Sequence, residues 1–304
     1  TYTINYYRFD GNYDNWNLWL WKTGGEGKGY DFNKKDEAEK GFTRAVYKFP
    51  SDKLNFLIRK GNWEDKDVGH DRTIEVKNGN NVEVWLIQGD ENIYYDKKDV
   101  DTSPKLVSAL MDSKTDLLVT SAGNIEDSEL DSFKLIDKTD NKEIKTSAIK
   151  VSDNKVKLTL KKGLFTTPEI DPSHDYEVSS NSFRATKVTM RKILDDPEYF
   201  YNGDDLGVTY KKDSSTFKLW APTAKEVSLV LYDNEGTYDE NGKVTDNTGG
   251  REISMKKEDK GVWSLKVDEN LEGKYYMYKV SFSDGKTNYA IDPYAKAVSA
   301  HGQR

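Results

Sequence analysis

Leu18-Trp19-Leu20-Trp21 is the stretch on which the fold turns. Two leucines alternate with two indoles, and a period of two over a short run marks a β-strand rather than a helix. In a strand Leu18 and Leu20 share one face while Trp19 and Trp21 share the other, ~6.5–7 Å apart along the chain. These residues alone leave two orientations open. Either the leucines enter the core and the indoles face outward, or the indoles, largely buried on average, enter it instead.

The same period recurs outward from this strand. Leu54, Phe56 and Ile58 alternate, as do Val82, Val84 and Leu86; Val156, Leu158 and Leu160; Phe217 and Leu219; and Val227, Leu229 and Leu231. Turn signals at Asn78-Gly79, Glu235-Gly236, Asn241-Gly242 and Asp284-Gly285 punctuate these runs. Helical spacing is scarce; its best candidates are 105–111, after Pro104, and a short charged stretch at 35–40. The expected fold class is therefore all-β.

Texture divides the 304 residues into three blocks. Residues 1–97 hold five of the seven Trp and end in a charged stretch before Ser103-Pro104. Residues 98–187 contain no Trp and are rich in Lys, Asp, Ser and Thr. Residues 188–304 carry Trp220, Trp263 and the cluster Tyr275, Tyr276 and Tyr278. Each block matches the ~90–100 residues of one immunoglobulin-like sandwich, so three consecutive immunoglobulin-like β-sandwich modules are expected. With 35% hydrophobic and 33% charged residues, the chain suits several small cores better than one large one.

Composition also excludes function classes. A net charge of −7 and a pI near 5.3 argue against nucleic acid, which calls for a clustered basic face. The absence of cysteine removes disulfides, thiolate metal sites and a thiol nucleophile. No apolar run approaches the ~20 residues of a membrane span, so no membrane insertion is expected. Thr1 begins nothing like a charged and then apolar export leader, which would have to lie outside these residues.

Chemistry concentrates in the first block. Two outward indoles are costly in water unless a ligand covers them, and the C–H face of successive sugar rings is such a ligand. The segment Gly61-Asn62-Trp63-Glu64-Asp65-Lys66-Asp67-Val68-Gly69-His70-Asp71-Arg72 sets another Trp among charged side chains. Sugar sites need this pairing of an aromatic surface with groups that bond hydroxyls. A solvated loop would show the same composition.

The run from Tyr6-Tyr7-Arg8-Phe9-Asp10-Gly11 to Leu18-Trp19-Leu20-Trp21, followed by Asn62-Trp63-Glu64-Asp65-Lys66-Asp67 and Asp71-Arg72, resembles carbohydrate-binding module family 41. That family is the α-glucan-binding module at the N-terminus of many type I pullulanases, and the likeness covers essentially all of 1–97. It implies that Trp19 and Trp21 form a sugar platform and that Lys66 and Asp71 bond glucose hydroxyls. Trp63 sits where it could extend or edge the platform, and Trp16 is read as packing.

The third block resembles carbohydrate-binding module family 48. The signs are Leu206-Gly207-Val208-Thr209-Tyr210, Phe217-Lys218-Leu219-Trp220-Ala221-Pro222, Gly261-Val262-Trp263 and Gly273-Lys274-Tyr275-Tyr276-Met277-Tyr278. Its close, Asp292-Pro293-Tyr294-Ala295-Lys296, looks like a pullulanase linker into a glycoside hydrolase family 13 barrel, which would then begin beyond Arg304. In pullulanases this module often packs on the barrel, so Trp220 and Trp263 are expected in its core. The middle block resembles only the immunoglobulin-like spacers of some pullulanases.

No alternating βα pattern, G-x-S-x-G elbow, H-E-x-x-H or phosphate-binding glycine loop is present. His70, His174 and His301 stand isolated in sequence, and the acidic turn 233–246 lacks a D-x-D-x-D-G calcium loop. The expectation is a non-catalytic chain that needs no cofactor or metal. It binds an α-glucan polysaccharide or malto-oligosaccharide as a monomer, outside the cell or on its surface, and targets a pullulanase catalytic domain to its polymer. Two alternatives are a small glycosidase in its own right, which would need a carboxylate pair in a cleft, and a cell-surface adhesin that grips glycogen.

Overall fold

Seven strands build the first module: β1 (Tyr2–Tyr7), β2 (Trp16–Trp21), β3 (Lys28–Tyr30), β4 (Phe42–Tyr47), β5 (Lys53–Lys60), β6 (Asp65–Glu75) and β7 (Val82–Ile87). The computed structural model describes residues 1–163, 169–240, 245 and 249–299. The turn Asn241-Gly242, the Asp246 end of the acidic loop and His301 lie outside the described residues. Two sheets, ordered β4-β1-β7 and β3-β2-β5-β6, face each other across one core. Alternation decides which side chains fill it. Tyr2, Ile4 and Tyr6 enter from one sheet; Leu18, Leu20, Leu54, Phe56 and Ile58 enter from the other, all at most 1% exposed. Each such aliphatic side chain contributes roughly 1.5–3 kcal/mol of burial, so the leucine face of β2 is strongly fixed inward. The charged stretch at 35–40 forms only a one-turn 3-10 helix, Lys35–Glu37, that buries nothing.

The middle module comprises β8 (Lys105–Met111), β9 (Asp116–Ala122), β10 (Lys134–Asp137), β11 (Lys142–Ile144), β12 (Thr146–Ser152), β13 (Lys155–Leu160), β14 (Tyr176–Ser179) and β15 (Thr186–Met190). The helix expected at 105–111 is instead β8. Its pairing with β9 shifts register between Leu106 and Ser108. That bulge inserts one residue, so the inward positions Leu106, Ala109 and Met111 are spaced three and then two apart. The first spacing imitates a helix. β15 changes partners partway along: Thr186 and Lys187 pair antiparallel with β14, whereas Val188 to Met190 pair parallel with β8. This joins two four-strand halves into the continuous order β11-β10-β14-β15-β8-β9-β13-β12, wrapped around one core. The strand therefore runs through the boundary expected at Lys187.

The third module stacks β16 (Gly207–Tyr210), β17 (Ser215–Trp220), β20 (Lys256–Lys257) and β21 (Val262–Val267) against β18 (Glu226–Tyr232), β19 (Arg251–Ser254), β22 (Tyr275–Ser281) and β23 (Thr287–Ala290). Trp263 lies in the core, 5% exposed. Trp220 does not. It ends β17 on the face opposite Phe217, and its indole N–H donates to the Tyr199 and Lys260 carbonyls at 2.9 and 3.0 Å. Phe200 meets it edge-on at 6.1 Å. This indole pins the intermodule segment to the sandwich, a role that a core expectation misses because both faces of a strand can be half-buried. Ser283 Oγ donates to the Ser173 carbonyl and Lys187 pairs with Asp284, further contacts between the second and third modules.

Candidate carbohydrate-binding site

The outer face of the sheet β3-β2-β5-β6 carries the candidate residues. With Leu18 and Leu20 inward, Trp19 and Trp21 stand on the outer face, each half-buried. The register places Asn17 beside Arg59, Trp19 beside Leu57 and Trp21 beside Asn55. Arg59 in turn faces Lys66 on β6. Paired residues in a sheet share a face, so Trp19, Trp21, Arg59 and Lys66 lie on one side.

Trp63 joins them from the turn between β5 and β6. Gly61 and Trp63 adopt left-handed φ values of 52° and 74°, which a bulky residue occupies only at a cost. The turn is held by two β2-side contacts: Gly61 N–H donates to the Asn15 carbonyl at 2.7 Å, and Asn17 Nδ2 donates to the Gly61 carbonyl at 3.0 Å. Trp63 is thereby brought to 5.3 Å from Trp19, the ring planes 61° apart, and remains 44% exposed. The ring contact of Trp19 is thus with Trp63, forty-four positions away, rather than with its strand neighbour Trp21.

Between the two indoles lies Arg59. Its Cζ is 4.4 Å from the Trp19 ring and 4.7 Å from the Trp63 ring. Nε donates to Asn17 Oδ1 at 2.9 Å, and the side chain as a whole is buried. Sequence reading passed over this residue. The available signal was its place in β5: Asn55, Leu57 and Arg59 alternate with the core-facing Leu54, Phe56 and Ile58, which puts the guanidinium on the indole face.

Lys66 and Asp71 are both exposed and flank a bulge. β6 pairs Arg72 with Phe56 and Asp67 with Ile58, so four residues, 68–71, stand opposite Leu57 alone. Val68 takes a φ of 62° there, and Lys66 Nζ reaches across to the Gly69 carbonyl at 3.3 Å. The Asp71 side chain makes no hydrogen bond among the described residues. Its carboxylate is open to a ligand.

Asp67, next to Lys66, has a different task. It is 7% exposed and accepts bonds from the Tyr6 hydroxyl at 2.7 Å and the Gly89 N–H at 2.8 Å. Burial, then the neighbouring Asp67 charge, pushes the Tyr6 phenol far above its ordinary range. Arg72, also inward, caps Phe56 at 4.6 Å and donates to the Asp90 carbonyl. These groups tie β6 to the opposite sheet beneath the platform. Trp16 likewise packs, under Arg8 at 4.1 Å and beside Tyr6.

His174 is not isolated once folded. Its Nδ1 lies 2.8 Å from Asp137 Oδ2, with Asp140 and Asp171 within 4 Å. Asp137, Asp140 and His174 could together offer three ligand atoms to a cation. Asp137 is already engaged by the backbone N–H groups of Thr139 and Asp140, and the group reads as an ion pair that fixes the β10 turn.

Residues 1–95 match the family model of the bacterial pullanase-associated domain, and residues 205–295 match carbohydrate-binding module 48, the isoamylase N-terminal domain. The chain is 28% identical over 331 aligned residues to pullulanase A of Streptococcus pneumoniae serotype 4, covering 99% of this chain and 23% of that protein. It is 32% identical over 134 residues to the chloroplastic pullulanase 1 of Arabidopsis thaliana, covering 42% and 13%. Among solved structures it is similar to the pullulanase of Group B Streptococcus, at 20% identity and a TM-score of 0.48, over 64% of this chain and 24% of that one. The chain spans less than a quarter of the length of the streptococcal relative.

Proposed function

We propose that these residues are the non-catalytic, carbohydrate-binding portion of a pullulanase, and that the first module holds α-1,4-linked glucan and so targets a catalytic domain to starch, pullulan or glycogen. Trp19, Trp21 and Trp63 are the stacking surface, and Lys66 and Asp71 bond the sugar hydroxyls. One observation carries this reading: Leu18 and Leu20 are fully buried, which forces two indoles onto an outer face where a third, Trp63, is delivered in a left-handed turn. A sequence that needed only a stable sheet would not place three indoles there. Because hydroxyls exchange water for protein bonds at little net gain, a single site binds weakly. Retention on a polymer comes from its dense array of equivalent ligands.

The other two modules act as spacers. The third buries Trp263 in its core and uses Trp220 as an anchor, so neither indole is offered to a sugar. The chain itself is not catalytic, works as a monomer outside the cell or on its surface, and has no nucleic-acid partner. The test is sedimentation with insoluble starch and with cellulose, alongside a reducing-sugar assay on pullulan. The expected result is retention on starch, none on cellulose, and no sugar released above the buffer blank. Release of reducing sugar would overturn the non-catalytic reading, and equal retention on both polymers would overturn the α-glucan reading.

A further inference from the structure

Arg59 is a buried cation with an incomplete set of polar partners. It is 8% exposed, Nε is satisfied by Asn17, and Nη1 has no hydrogen-bond partner among the described residues. A buried guanidinium left short of hydrogen bonds is costly. What surrounds it instead are the faces of Trp19 and Trp63, at 4.4 and 4.7 Å. Ring faces carry negative charge density and attract a cation, best of all when the pair is withdrawn from water.

The neighbouring strand makes room for this arrangement. A Cβ added at Gly29 would come within 2.7 Å of Arg59 Nη2, and one at Gly27 within 2.2 Å of Trp19 Nε1. Neither glycine has a left-handed φ, so the backbone does not require them. The space above them does: the guanidinium and the indole lie across β3 where side chains would otherwise stand.

We propose that Arg59 is the positioning residue of the sugar platform. Its guanidinium draws the Trp63 ring from the tip of the turn against Trp19 and sets the angle between them, so that the turn becomes part of the binding surface before any sugar arrives. This rests on the glucan reading above. Without Arg59 only the edge contact with Trp19 is left to hold the left-handed Trp63 ring, and the platform reduces in effect to the two indoles of β2.

Circular dichroism and calorimetry on the full chain test it together. Two indoles in contact give an exciton couplet, and the spectral difference between the unaltered chain and Trp63→Ala isolates the Trp19–Trp63 contribution. Arg59→Met should lose that same contribution with no sugar present, while the sheet signal persists. Gly29→Ala, which crowds the guanidinium without touching the charge, should weaken the couplet too, and it serves if Arg59→Met does not fold. Maltotriose affinity should fall about tenfold in Arg59→Met and in Trp63→Ala. The double variant should lose no more than the worse single one, as expected of residues acting as one unit. A couplet unchanged in both Arg59→Met and Gly29→Ala, or losses that multiply in the double variant, would overturn the positioning role. If the couplet responds as expected but the unaltered chain binds no maltotriose, the glucan reading fails and the platform role falls with it.

Discussion

Replacing Trp19 by alanine removes an indole that touches the protein on one side and is offered to the ligand on the other, so two losses must be separated. On the protein side the contacts are the edge-to-face pair with Trp63 at 5.3 Å and the Arg59 guanidinium at 4.4 Å. An aromatic pair contributes ~0.5–1.5 kcal/mol and a cation over a ring ~0.5–1 kcal/mol at a partly exposed site. Together they set a stability cost of about 1–2.5 kcal/mol. On the ligand side, truncating a central aromatic anchor costs ~2 kcal/mol or more, about a thirtyfold loss of affinity. Leu20→Ala is the contrast. Leu20 is 1% exposed in the core, so its truncation costs ~2–5 kcal/mol of stability and leaves sugar affinity per folded molecule nearly unchanged. Urea unfolding gives the first quantity and calorimetric titration with maltotriose the second. If Trp19→Ala destabilises as much as Leu20→Ala while the folded fraction binds sugar at full strength, Trp19 is a core residue in effect and the platform assignment is refuted.

Three further outcomes follow from the same geometry. Lys66→Ala and Asp71→Ala should each weaken maltotriose binding with little change in stability. Asp67→Ala should instead destabilise the module by ~1–3 kcal/mol, because it strands the buried Tyr6 hydroxyl and Gly89 N–H; equal binding losses at Asp67 and Asp71, without unfolding, would count against the pair. For His174, burial lowers the pKa but the hydrogen bond and charge of Asp137, helped by Asp171 and Asp140, outweigh it and raise the net value above 6.5. A raised folded pKa means stabilisation that is complete below the unfolded value and is lost as pH climbs through the folded one. The urea midpoint of the middle module should therefore fall across that window, and His174→Asn should remove the contribution; an unchanged slope in that variant would exclude it. Finally, a chain ending at Lys97 should keep most of the glucan affinity, and a large loss in affinity would show that later modules also hold sugar.

The strands were legible wherever one face is buried and the other is not. Leu54, Phe56 and Ile58, or Val156, Leu158 and Leu160, alternate because a sheet over a single core selects for it. The pattern failed at β8, where a bulge changed the spacing of inward residues and gave a helical period. It failed again at Lys187, since partner exchange along β15 leaves no mark in composition. In the candidate site, alternation put Trp19 and Trp21 on one face and left open whether that face was the outer one, whereas Arg59 did not stand out. Its role depends on a contact between β5, the following turn and two glycines, Gly29 of β3 and Gly27 just before it, and no local spacing encodes that contact. Asp67 gave no signal of its task, because it lies in a polar run yet points inward.

The seven indole N–H groups provide the most direct measurement. Each gives one resonance in a heteronuclear correlation spectrum, and titration with maltotriose reports every Trp in the chain at once. The α-glucan platform predicts that Trp19, Trp21 and Trp63 shift together along one binding curve, while Trp85, Trp220 and Trp263 stay in place. Shifts at Trp220 or Trp263 with the first three unmoved would contradict it and would place the sugar on the third module.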